Sequence, residues 1–254
     1  MKSGLKMPRG FVSMLLGSQI NAHRRNFYIT SDLSATPFDP SKLANLALWL
    51  DASDSATITQ VANAVSQWND KSGNSNNVTQ GTGANQPVTN SFTINSLNAI
   101  SFTSSKSMAV PSEMYSYTNG ANTSFFVHKN NVTTGTGQSM FTADAMGSRR
   151  TNIFLNPGIS TIGFVNRVGS SAGGTLSYTP DTKPHIVASS YDAAGNINGW
   201  LDGSGYTGSS ASQSSYISTD FTLCSFQGTS NFLNGLIAEI CLYTRALSNS
   251  EINQ

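Results

Sequence analysis

The chain has 254 residues, 38% of them hydrophobic but only 11% charged, and a formal net charge of +1. The charge content lies well below the roughly 25% of ordinary soluble domains, with Ser, Thr, Asn and Gly in its place, a surface that suits an extracellular or virion protein better than a cytosolic enzyme. The length allows one large all-β domain or two small ones with a substantial core, and no run approaches the roughly 20 apolar residues of a membrane-spanning helix.

The first thirty residues contain Lys2, Lys6, Arg9, Arg24 and Arg25, and no acid precedes Asp32. The remainder carries nine basic against thirteen acidic residues, so a cationic arm precedes an anionic body. A terminal block of one sign is expected to be an interaction tail, and residues 1–40 are assigned here as a basic arm, extended or short-helical from Pro8 to Leu16, that docks to other virion or assembly proteins. Nucleic acid is not the expected partner, because five charges without interleaved aromatics make a poor footprint. The apolar stretch Phe11 to Gly17 is short for a secretory leader and is interrupted by Ser13.

Pro37 and Pro40 punctuate the chain, since each fixes φ and biases its predecessor away from helix. Beyond them, residues 41–254 read as one domain of short apolar runs between Gly, Asn, Ser and Pro clusters. Strands are expected at 47–50, 64–68, 99–103, 124–128, 139–142, 153–155, 161–165, 185–191, 197–201, 222–226 and 236–243, with a turn at Asp202-Gly203. Ile100 and Phe102 alternate with small or polar neighbours, as on a sheet with one buried face. At the C-terminus Ser248 and Glu251 have the spacing of a helix capping box. Cys224 and Cys241 fall on separate expected strands; free thiols are favoured, and a disulfide is left open for geometry to decide.

Two stretches at opposite ends of the body carry a family resemblance. The first is Leu46-Ala47-Leu48-Trp49-Leu50-Asp51-Ala52-Ser53-Asp54, followed by Val65-Ser66-Gln67-Trp68-Asn69-Asp70-Lys71-Ser72-Gly73-Asn74. The second is Asn234-Gly235-Leu236-Ile237-Ala238-Glu239-Ile240, then Leu242-Tyr243-Thr244-Arg245-Ala246-Leu247-Ser248. Together with Asn198-Gly199-Trp200-Leu201-Asp202-Gly203, they resemble the opening, closing and penultimate strands of the laminin-G-like branch of the concanavalin A-like lectin/glucanase superfamily. The resemblance implies an all-β, antiparallel two-sheet jelly-roll sandwich. Domains of this type recur in phage tail, fibre and decoration proteins.

Catalysis is not expected. Glycosidases of the superfamily need two carboxylates flanking one bond, and Glu113, Glu239 and Glu251 have no second carboxylate at strand spacing, although a dyad from distant strands stays open. His23, His128 and His185 are far apart in sequence and belong to no catalytic motif; His128 and His185 read as strand-end side chains.

For a cation, Asp70, Asn74 and Asn76 place oxygens around Gly73 in a spacing that Ca²⁺ can use; an Asx-rich structural turn is the competing reading. For sugar stacking, Tyr115, Tyr117, Tyr178, Tyr206 and Tyr216 lie in expected loops or edges, whereas Trp49, Trp68 and Trp200 fall inside strands and are expected to pack the core. The sequence therefore points to a non-enzymatic structural or adhesive protein at a virion surface, its arm docked and its lectin-like body facing outward toward cell-surface glycans. A secreted carbohydrate-binding module and a glycanase are the alternatives.

Overall fold

The computed structural model describes residues 38–117, 120–145, 149–168, 171–209 and 220–252. The basic arm with Lys2, Lys6, Arg9, Arg24 and Arg25 lies outside these residues, as does Tyr216. Seventeen strands are described: β1 (Leu46–Asp51), β2 (Ile58–Val61), β3 (Ala64–Trp68), β4 (Val78–Thr79), β5 (Val88–Ile94), β6 (Leu97–Phe102), β7 (Met108–Ala109), β8 (Asn122–Asn130), β9 (Gln138–Ala145), β10 (Arg149–Asn156), β11 (Thr161–Val168), β12 (Ser171–Ser177), β13 (Pro184–Tyr191), β14 (Asn196–Leu201), β15 (Ser204–Ser209), β16 (Asp220–Leu223) and β17 (Gly235–Tyr243). One short helix, α1 (Asn249–Ile252), follows.

Every described pairing is antiparallel. β17 is the hub, with β8 along one side and β6 and β1 in tandem along the other. From β8 the ladder runs through β13 and β14 to β15. From β6 it runs through β5 to β3, and from β3 through β4, β7, β16, β9, β10 and β11 to β12. The result is one continuous, nearly barrel-shaped sheet whose ends face each other, with β12 packed on β15 and β11 on β14.

The enclosed space is the main core. Phe126 of β8 stacks on Phe141 of β9 with 5.6 Å between ring centroids, and Phe141 meets Phe221 of β16 at 5.7 Å. Trp68, Phe102, Leu48, Leu50 and Ile100 are fully buried beside them, each side chain contributing about 1.5–3 kcal/mol by leaving water. Strand alternation sends Phe125, Trp200, Tyr243 and Trp49 to the other face, where they pack with Leu247 and Ile252. Trp68 thus packs the main core as expected, while Trp49 and Trp200 pack a secondary cluster.

Eleven strands stand where the spacing put them. Six further strands, β2, β4, β5, β7, β12 and β15, are additional; β2 and β5 are mostly exposed, so they carry little apolar alternation. Each opens a two-residue hairpin whose turn residues both have positive φ, Ala62-Asn63 and Asn95-Ser96, as does the expected Asp202-Gly203 turn between β14 and β15. β16 stops at Leu223, because Cys224 has φ of 62° and turns the chain out of the strand expected to reach residue 226. The capping box forms, with Ser248 N–H donating to Glu251 Oε2 at 2.9 Å and Arg245 gripping the same carboxylate through two nitrogens. Cys224 and Cys241 are buried free thiols.

Candidate functional site

Alternation on β8 points Phe126, His128 and Asn130 toward the enclosed space, and the cross-strand register sets His128 directly opposite His185 of β13. The two imidazoles lie 5.9 Å apart. Pro180 and Pro184 bracket Asp181, whose Oδ1 accepts the Lys183 N–H at 2.8 Å and fixes the turn into β13. Asp202 sits at the β14–β15 turn, donates its N–H to Ile186 O at 3.0 Å and accepts the Ile186 N–H on its Oδ1 at 2.9 Å. These two elements clamp His185: Nδ1 is 2.6 Å from Asp202 Oδ2 and Nε2 is 2.8 Å from Asp181 Oδ1.

Electrostatics separates the two histidines. The bond to Asp202 and the second carboxylate raise His185 above the ordinary histidine value, so it donates both N–H groups as an imidazolium. Asp181 and Asp202 are lowered in turn, their bonds to His185 among the causes. His128 is 1% exposed and is pushed down to about 3, first by burial and then by the neighbouring His185 charge. It is a neutral ring with no hydrogen-bond partner at either nitrogen.

Near His128, Asn130 Oδ1 and the Tyr178 hydroxyl are likewise buried. The Asn130 side chain interacts with both His128 and Tyr178, raising the proton affinity of His128 and lowering that of Tyr178, in each case against a larger effect of burial. Buried polar atoms without partners are uncommon and costly, at about 1–3 kcal/mol each. Tyr178 N–H donates to Ser160 O at 3.0 Å, which brings the turn Pro157–Ile159, with its exposed Ile159, beside the tyrosine. This end of the sheet combines two partly exposed carboxylates, an exposed aliphatic side chain and inward-facing groups able to donate and accept.

Tyr115 and Tyr117 do not gather there. Tyr117 is buried, stacks on Phe221 at 6.0 Å and donates its hydroxyl to Thr123 O at 2.8 Å, so it is a core residue and no sugar platform. Tyr115 is partly buried against the same core, and Tyr206 stands on β15 opposite Gly199. Of Tyr115, Tyr117 and Tyr178, it is Tyr178 that lies near His128 and His185. His128 and His185 are not the separate strand ends expected of them; they share inward alternation with Phe126 and Val187, and their pairing depends on a register no local motif encodes.

Asp70, Asn74 and Asn76 are brought together, but as a strap along the free side of β1. Asp70 Oδ1 accepts from the N–H groups of Trp49 and Ser72, at 2.9 and 2.8 Å; Oδ2 accepts from Ser72 Oγ at 2.7 Å and Asn76 N–H at 3.0 Å. Asn74 and Asn76 turn amide nitrogens onto Leu46 O and Ala47 O, both at 2.8 Å. A cation needs convergent oxygens, and here the nitrogens lead while Asp70 is engaged by chain donors. Among the described residues no cluster of three or more His, Cys, Asp or Glu is arranged to hold a metal ion. Beside the strap, Lys71 lies 4.6 Å from the Trp49 ring centroid and pairs with Asp51 and Asp54 at 2.8 and 3.1 Å, and Trp49 Nε1 donates to Glu239 Oε1 at 2.8 Å. Burial pushes Glu239 up to about 7.

No family model and no characterised protein sequence matches the chain. Solved structures do share its fold. The binding domain of botulinum neurotoxin DC, in complex with rat synaptotagmin II, superposes with a TM-score of 0.55 at 11% identity, covering 85% of this chain and 51% of that one. For botulinum neurotoxin type C, whose cell entry depends on interaction with two ganglioside molecules, the values are 0.54, 14%, 82% and 50%. For Trypanosoma rangeli sialidase in complex with the inhibitor DANA they are 0.60, 15%, 86% and 34%. The chain thus spans about half the length of the toxin structures and a third of the sialidase. The likeness is one of fold, and it makes this an antiparallel β domain of the lectin-like sandwich type.

Proposed function

We propose that the chain is a non-catalytic recognition domain, a laminin-G-like jelly roll that binds a cell-surface glycan and is carried at a virion surface by its basic arm. The observation that carries the recognition reading is the polar end built from His128, Asn130, Tyr178, His185, Asp181 and Asp202. Its rim carboxylates, Asp181 and Asp202, are partly exposed, are held in place by His185 and stand ready to accept hydroxyl donors. Lectin-like structural neighbours, one of them described by its interaction with gangliosides, support the same reading. His185 has both nitrogens committed to carboxylates, which favours a positioning role over that of a general base.

The virion reading is supported by the charge-poor Ser, Thr, Asn and Gly surface and by the +5 arm ahead of the body. A glycan array probed with the full chain tests recognition: selective binding is expected, and an array without selective signal overturns it. Deleting residues 1–36 tests the arm. Loss of incorporation into particles with an unchanged melting temperature is expected, whereas normal incorporation would refute the docking role.

A further inference from the structure

We infer that an extended, β-linked polysaccharide chain lies across the outer face of the sheet, along a row of aromatic rings that ends at Trp200. The inference rests on the glycan-recognition reading and gives that reading a ligand shape and a contact surface.

The row follows from strand register. Trp49 of β1 stands opposite Cys241 of β17, Cys241 opposite Phe125 of β8, Phe125 opposite Ala188 of β13, Ala188 opposite Trp200 of β14, and Trp200 opposite Gly205 of β15. Large rings thus alternate with small residues across the sheet, on the face turned away from the main core. The small neighbours let the rings settle on the strands beside them. A Cβ at position 205 would come within 3.1 Å of Trp200 Nε1, so the indole lies over that glycine. Cys241 and Ala188 are buried in the row, while Trp49, Phe125 and Trp200 stay partly exposed, unlike Trp68 and Phe126 of the main core.

Spacing selects the ligand. Phe125 and Trp200 stand on strands two apart, about 9.5 Å at the usual interstrand distance. An extended β-linked chain presents the same face of every second pyranose at a closely similar repeat, so two of its apolar C–H faces can meet the two rings together. An α-linked chain coils and cannot keep two sugars on both rings. At the third ring Lys71 lies 4.6 Å from the Trp49 centroid and pairs with Asp51 and Asp54, so this end is closed to stacking and offers charged partners for hydroxyls instead.

The flanking charges suit a polyol. Glu239 bonds the Trp49 indole at one end of the row. Asp202 lies two residues along from Trp200, on the same face, with its side chain 43% exposed. These carboxylates accept from hydroxyls, and Lys71, the cation beside Trp49, is committed to Asp51 and Asp54. Leu247, whose N–H donates to Thr123 Oγ1, flanks the row on one side and leaves the rings partly open.

The test uses the full chain with cello-, manno- and chito-oligosaccharides from disaccharide to hexasaccharide, and malto-oligosaccharides as the coiled control. Binding is read by calorimetry and by acrylamide quenching of tryptophan emission; Trp68 is fully buried, so quenching reports on Trp49 and Trp200. In at least one β-linked series affinity is expected to rise about tenfold from disaccharide to tetrasaccharide, as the second ring is engaged, and then to level off. The malto series should stay weak, and saturating β-linked sugar should reduce quenching. Trp200→Ala should weaken tetrasaccharide binding by about tenfold and abolish the length dependence; if this variant does not fold, quenching of the native chain decides alone. Affinity independent of chain length, or quenching unchanged at saturation, overturns the inference. So does increased quenching of the sugar-free chain on deletion of residues 1–36, which would show that the arm and not a glycan covers the row. Selective array binding confined to compact or α-linked glycans overturns the inference and leaves glycan recognition standing. An array without selective signal removes both.

Discussion

His128 and His185 stand opposite each other on neighbouring strands, 5.9 Å between ring centroids, yet their proton affinities move in opposite directions. His185 gains two carboxylates, and His128 gains only burial and a cationic neighbour. In the unfolded chain both return to about 6.5. The lowered value of His128 makes its neutral form a stabilising requirement above pH 6.5 that is lost progressively as the pH falls toward 3. Its slope reaches at most about 1.4 kcal/mol per pH unit. The raised value of His185 contributes fully below 6.5 and is lost as the pH rises through its folded value. In an NMR titration the ring protons of His128 should stay in the neutral position down to pH 4 while those of His185 remain in the charged position at pH 6.5. A shared titration midpoint would refute the assignment.

Glu239 acts in the opposite sense to His128. Its folded value is about 7 against an ordinary 4.5, so its contribution is present below 4.5 and is lost as the pH rises toward 7. Between pH 4.5 and 6.5 the two slopes oppose each other, and urea midpoints of the native chain should change little across that window on their account. Glu239→Gln keeps an acceptor for Trp49 Nε1 and removes the ionisation, so it should expose the His128 slope. His128→Gln should expose the reverse slope. Parallel profiles for both variants and the native chain would count against buried titration at either residue.

Asp70 receives four chain donors, and replacing it with Ala leaves the Trp49, Ser72 and Asn76 N–H groups without it. A loss of about 2–4 kcal/mol is expected in equilibrium unfolding. Asp70→Asn should cost less, since one oxygen remains. The strap also shields carbonyls of β1, the kind of edge through which sheets associate, so Asp70→Ala should raise the fraction of dimer and aggregate in light scattering. If the loop served a cation instead, millimolar Ca²⁺ would raise the melting temperature of the native chain; no shift is expected.

Strands whose one face meets the core were legible in the sequence. Ile100 and Phe102 on β6 and the long apolar run of β17 carry burial directly in their side chains. β2 and β5 were hidden because their residues are mostly exposed and their turns, Ala62-Asn63 and Asn95-Ser96, lack the glycine that usually announces a two-residue hairpin. The site was hidden for another reason. His128 and His185 are 57 positions apart in the chain, and only the β8–β13 register makes them neighbours. Local chemistry did reveal the Ser248–Glu251 cap and the Asp202-Gly203 turn, both of which act over a few residues.

The facing ends of the sheet are held apart by a specific exchange of volume. Gly199 of β14 lies against the ring of Phe164 of β11, so that a methyl group at position 199 would be driven into the aromatic carbons. Phe164 is itself 1% exposed and belongs to the main core, which leaves it little room to retreat. Gly199→Ala should therefore destabilise the domain by about 1–3 kcal/mol, the cost of overpacking. Phe164→Leu should also destabilise, by loss of buried area. Since the first change needs the volume that the second releases, the double variant should lose less than the sum of the two, with a coupling of about 0.5–3 kcal/mol. Gly203 provides the control. Its φ is +81° with open space around it, so Gly203→Ala strains the backbone without touching Phe164. Its effect should add to that of Phe164→Leu without coupling. Additive behaviour at both positions would show that β11 and β14 do not press on each other through this pair.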